Sequence, residues 1–217
     1  MSTKTSGAKA WRTIALAGMA SYLDAAAIVG TSIALVLFAP TMGISEWDFG
    51  ALSALLTLSF ATAALIGGRL GDRFGRRRVF TATLVVFVIG VGILTFSSGL
   101  VMLYIGIFLT GIAVGADLPV SLAMANEAAS ENQKGKAVGL SGVLWLLGIA
   151  AVITISVFVG GMGELGGRII YGHLLIVAIV VLILRARVYE SAEWKTARTE
   201  AIAIAAGSSS ETKIPKS

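Results

Sequence analysis

Two aspartates stand inside stretches that are otherwise apolar. Asp24 lies in the middle of the run from Thr13 to Phe38, and Asp117 lies within the run from Val101 to Ala125. An ionised carboxylate at a bilayer centre costs roughly 2.5–3.5 kcal/mol on insertion scales, so such a residue is normally kept for function or pairing. On a helix Asp24 shares a stripe with Ser21 and Thr31, and Asp117 shares one with Thr110 and Ser121. Each stripe reads either as the wall of a wet cavity or as carboxyls hydrogen-bonded to hydroxyls of neighbouring helices. A third group is compact: Gly68-Arg69-Leu70-Gly71-Asp72-Arg73-Phe74-Gly75-Arg76-Arg77-Arg78. Its glycines permit a tight reversal between two helices. Asp72, among five arginines, is expected to be paired.

Composition decides what carries these groups. The 217 residues are 56% hydrophobic and 13% charged, against about 25% charged in a soluble domain, and the mean hydropathy is +0.89. A water-soluble enzyme could not hide this much apolar surface. The apolar runs are continuous where a membrane β-barrel would alternate. With no cysteine, disulfides, iron–sulfur clusters and thiolate zinc sites are excluded. His173 is the single histidine, too few for a histidine metal site. No metal, cofactor or nucleic-acid partner is expected, and the lipid bilayer is the natural surrounding.

Six stretches are long enough to cross a bilayer, near 13–38, 49–68, 79–97, 101–125, 138–160 and 168–185. The expectation is an all-α membrane protein with six transmembrane helices over 1–187 and a polar cytoplasmic tail over 188–217. Glu190–Arg198 reads as a short surface helix and Gly207–Ser217 as a disordered end. Lys4, Lys9 and Arg12, the arginines from Arg69 to Arg78, Lys134 and Lys136, and every basic residue from Arg185 onward fall on one side. Arg168 alone falls on the other, at helical pairing distance from Glu164. By the positive-inside rule, both termini face the cytoplasm of an inner (plasma) membrane.

The 68–78 segment closely resembles the signature between helices two and three of the major facilitator superfamily, with Gly71 at its small position. A second likeness is Gly111-Ile112-Ala113-Val114-Gly115-Ala116-Asp117-Leu118-Pro119-Val120-Ser121, followed by Asn126-Glu127, which resembles helix four of proton-coupled phosphate, metabolite and sugar porters. Glu190-Ser191-Ala192-Glu193-Trp194 is similar to a sugar-porter motif, from which Tyr189, Ala192 and Glu193 depart. The resemblance covers nearly the whole chain but only half of a twelve-helix fold built from two six-helix halves.

That resemblance implies a half-size secondary transporter, proton-coupled, completed by a second six-helix half (itself or a separately encoded partner) and moving a small solute by alternating access. A non-transporting assembly or regulatory subunit, or a truncated transporter, is the alternative. Helices one and four would line the path, so the proton and substrate cavity would be built from Asp24, Asp117, Ser21, Thr31 and Ser121, with Trp145 of the fifth span stacking on the solute. Gly68, Asp72, Arg73, Gly75, Arg76 and Glu127 would form the cytoplasmic gate. Sugar porters pair the helix-one acid with an arginine ten residues before Asp117; here that position is Ile107, leaving Asp24 to share a proton with Asp117. Two copies would then hold four acids and no fixed cation, and would favour cationic or neutral solutes over anions.

Overall fold

The structure, a computed structural model, describes residues 7–185 and Thr199. The expected tail over 188–217, with its surface helix and the motif at Glu190–Trp194, lies outside the described residues except for Thr199. Six long helices fill the rest: α1 (Gly7–Met42), α2 (Glu46–Phe74), α3 (Arg76–Thr95), α4 (Leu100–Ala128), α5 (Lys134–Val159) and α6 (Glu164–Arg185). All six are long and apolar enough to span a bilayer, since about 20 residues at 1.5 Å each cover its hydrocarbon core. This is a multi-pass membrane protein.

The helices run past the expected spans because their ends continue into polar sequence. At the start of α2, Ser45 and Asp48 form a capping box: the Ser45 hydroxyl accepts from the Asp48 N–H, and the Asp48 carboxylate accepts from the Ser45 N–H. The reversal expected across Gly68–Arg78 needs correcting. Helix α2 continues through Phe74 and α3 begins at Arg76, so the chain turns at Gly75 alone, with φ 99°. That left-handed backbone favours glycine. Gly71 is instead buried inside α2, against Val120 of α4.

Small residues set how closely the helices approach, as expected where lipid gives no hydrophobic drive for helix pairing. A Cβ on Gly115 would overlap the Phe60 carbonyl, and one on Gly67 would overlap the backbone of Ala116, so α2 and α4 touch main chain to main chain. Gly148 of α5 meets the Tyr22 carbonyl of α1 in the same way. Helix α4 packs on α1, α2 and α3, while α6 closes over α1 and α3. Pro119 lies inside α4, which stays helical through it.

At one end of this bundle the start of α3 meets the ends of α4 and α6, through Arg76 with Glu127 and Arg185 with the Phe80 carbonyl. At the opposite end, Arg168 pairs with Glu164 at 2.6 Å and donates to the Ser97 carbonyl at 3.1 Å, joining α6 to the α3–α4 connection.

Candidate functional site

A buried ion pair occupies the interior between α3, α4 and α6. Arg185 forks onto Asp117, with Nη1 donating to Oδ1 at 3.1 Å and Nη2 to Oδ2 at 3.0 Å. Nη1 also donates to the Phe80 carbonyl at 2.7 Å, and the guanidinium carbon lies 3.5 Å above the centre of the Phe80 ring. The Thr83 hydroxyl donates to Asp117 Oδ1 at 2.6 Å. Arg185 is 0% exposed and Asp117 6%. Planar bidentate pairing of this kind suits arginine and would not survive a lysine replacement.

Asp24 of α1 is 5% exposed and stands beside this pair. It shares with Asp117 a gap of about 10 Å³, also lined by Thr83, Leu84, Phe87 and Ala113, room for about one water. Its Oδ2 is buried and meets no hydrogen-bond donor.

One expectation is overturned here. Arg185, read as one of the basic residues beyond the sixth span, is inside the bundle. The idea that two copies hold four acids and no cation therefore fails, and with it the argument against anionic solutes. Ile107, at the position where an arginine was missing, is buried in the core, and the Arg185 guanidinium of α6 bonds Asp117 and the Phe80 carbonyl. Sequence reasoning also passed over Thr83 and Phe80. The available signal for Arg185 was its place at the end of an apolar run, Ile176–Leu184, with no polar linker before it.

The other expected cavity residues separate into two sets. Ser21, Thr31 and Ser121 are buried within the six helices, and the Ser121 hydroxyl donates to the Leu118 carbonyl of its own helix at 3.0 Å. Trp145 of α5 is 42% exposed and does not line the gap between Asp24 and Asp117. His173 of α6 bonds the Tyr22 hydroxyl at 2.8 Å, a packing contact between α6 and α1.

At the basic end, Arg76 is the hub of a second cluster. Its guanidinium reaches Asp72 at 3.1 Å and Glu127 at 3.0 Å, tying the end of α2 and the start of α3 to the end of α4. Arg73 lies over the Phe74 ring at 5.4 Å. Gly75 makes the turn that brings Asp72 and Arg76 together, and Gly68 faces Pro119 of α4.

Residues 14–213 match the family described as Major Facilitator Superfamily. The Minor myo-inositol transporter IolF of Bacillus subtilis is 37% identical over 187 residues, which are 85% of this chain and 42% of that protein. The Putative niacin/nicotinamide transporter NiaP of Bacillus subtilis is 30% identical over 146 residues, 67% of this chain and 36% of that protein. Among solved structures, the proton:xylose symporter XylE bound to 6-bromo-6-deoxy-D-glucose superposes with a TM-score of 0.73 at 24% identity, covering 88% of this chain and 46% of that one. The chain thus spans less than half the length of the curated relatives it matches.

Proposed function

Because this chain belongs to the Major Facilitator Superfamily, we propose that it forms one six-helix half of a proton-coupled secondary transporter in the inner (plasma) membrane. A second six-helix half, a copy of this chain or a separate one, completes the twelve-helix unit. The two halves rock against each other about a central path, with both ends of this chain on the cytoplasmic side.

The observation that carries proton coupling is the buried, unpaired Oδ2 of Asp24 beside the Asp117–Arg185 pair. A carboxyl in that position is tolerated when protonated, and is driven to seek a partner when it loses the proton. Proton binding therefore changes the forces between α1 and the α4–α6 pair, which is what a conformational cycle requires. The solute is met elsewhere, on the exposed face that carries Trp145. An apolar groove of about 400 Å³ between α2 and α4, lined by Leu58, Thr62, Ile66, Phe108 and Ile112, supports docking of the second half. The Asp72–Arg76–Glu127 cluster acts as the cytoplasmic gate, holding three helix ends together in one state of the cycle.

The name of the relative at 37% identity makes myo-inositol the first probe. The chain, reconstituted in proteoliposomes alone and together with a candidate second half, is given labelled myo-inositol under an inward proton gradient. Accumulation that collapses when a protonophore is added supports the reading. Uptake indifferent to the gradient would remove the coupling. Cross-linking that finds no paired six-helix halves would remove the twelve-helix unit.

A further inference from the structure

The buried cluster holds two carboxyls and one cation, and its charges do not balance unless one proton is present. A net charge in a bundle interior is strongly disfavoured, so the resting cluster carries that proton. Among the described residues, no other charged side chain is buried, although α3 carries the half-buried Arg77 three residues before Phe80. The buried residues of α2 and α5 include no titratable group, and α3 contributes the Thr83 hydroxyl and the Phe80 carbonyl. On α6, His173 lies twelve residues before Arg185, about 18 Å along the helix, and bonds Tyr22 of α1; Tyr171 lies further still. On α4, Glu127 is ten residues beyond Asp117, about 15 Å along the helix, and pairs with Arg76.

Geometry decides which carboxyl holds the proton. Asp117 accepts both arms of the Arg185 fork and the Thr83 hydroxyl, three donors that suit an anion. Asp24 Oδ2 has no donor. The Arg185 Nε is likewise buried without an acceptor, so the arginine keeps one unused donor in the same interior. Asp24 and Asp117 line the same small gap, and Asp117 carries the Arg185 fork.

We infer that Arg185 is the positioning residue of the proton site: by forking Asp117 it holds that carboxylate as the standing anion and leaves Asp24 as the one group of the cluster that gains and loses the proton. Asp117 is then an anchor joining α4 to α6, not a second proton carrier. When Asp24 loses its proton, the cluster holds an uncompensated negative charge that only Arg185 can answer, and the arginine is pulled between α4 and α1. This rests on the reading of Asp24 as the proton carrier and adds how its proton is governed.

The test is infrared difference spectroscopy of the full chain in lipid nanodiscs at neutral pH, where ordinary exposed carboxyls are ionised and give no protonated-carboxyl band. The unmodified chain is expected to show one such band, lost in Asp24→Asn. Asp117→Asn is expected to lose it too, because Arg185 then needs Asp24 as its anion. Arg185→Gln is expected to show two bands, one from each acid. The double variant Asp117→Asn/Arg185→Gln should return to one band, and it serves where Arg185→Gln alone fails to fold. No band in the unmodified chain, a band that survives Asp24→Asn, a band unchanged in Asp117→Asn, or a double variant without a band would each overturn the assignment. The readout needs no transport. If the bands follow this pattern while Asp24→Asn still accumulates myo-inositol with the proton gradient, the transport reading falls and the role of Arg185 stands.

Discussion

Among the described residues, two clusters are built from the same chemistry, an arginine and acidic partners, in different surroundings. In the interior, Arg185 and Asp117 have side-chain exposures of 0% and 8%. At the basic end, Arg76 is 21% exposed and its partner Asp72 69%. Water reaches the second cluster at Asp72, where the pair with Arg76 contributes about 0–1 kcal/mol, whereas Glu127 is only 12% exposed where it pairs with Arg76. The first cannot exchange its partners for water, so removing one member leaves a bare charge. The contrast is sharpest between Asp72, the exposed member of the proposed gate, and Asp117, the buried neighbour of the proposed proton carrier. One helix carries parts of both, since Asp117 and Glu127 stand on α4.

The sharpest way to break this comparison is at Arg185. Arg185→Gln should cost about 3–5 kcal/mol of stability, the usual penalty for removing one partner of a buried pair. Asp117→Asn/Arg185→Gln should recover most of it, read as unfolding in mild detergent. A single variant as stable as the unmodified chain would show that the pair is not a structural anchor. Next in size is Gly115→Val, whose added carbons meet the Phe60 main chain; overpacking should cost about 1–3 kcal/mol and loosen α2 from α4, measured by cross-linking between those helices. The smallest effects belong to the basic end. Asp72→Asn should cost under about 1 kcal/mol, and the difference should fade in high salt, unlike that of Arg185→Gln. Asp72→Asn and Arg73→Ala should both shift the balance between inward-open and outward-open states without changing the ranking of solutes in competition uptake. A changed ranking would contradict the gate assignment.

How far these clusters were legible in the sequence follows from their physics. The six spans could be read directly, because hydropathy acts locally along the chain. Asp24 and Asp117 declared themselves as acids in apolar runs, and Asp72, placed among five arginines, could be expected to be paired. Arg185 stayed hidden because its meaning is tertiary. Next to Arg187 it reads as one more cytoplasmic charge, and only the packing of α6 on α3 carries it inward. Thr83 is similar, one hydroxyl in an apolar helix until Asp117 is placed opposite. Gly71 misled in the other direction: in a glycine-rich segment it reads as part of a turn, whereas its missing side chain admits Val120 and Gly75 alone makes the turn.

The central claim is that a single buried carboxyl on α1 carries the proton that drives transport, and Asp24→Asn tests it most directly. Asn keeps the size and hydrogen-bonding groups of Asp but cannot change charge. In proteoliposomes holding the complete twelve-helix unit, the variant should lose gradient-driven accumulation of labelled myo-inositol while keeping exchange of labelled for unlabelled solute across the membrane. Accumulation equal to that of the unmodified protein, with the same dependence on pH, would contradict the account.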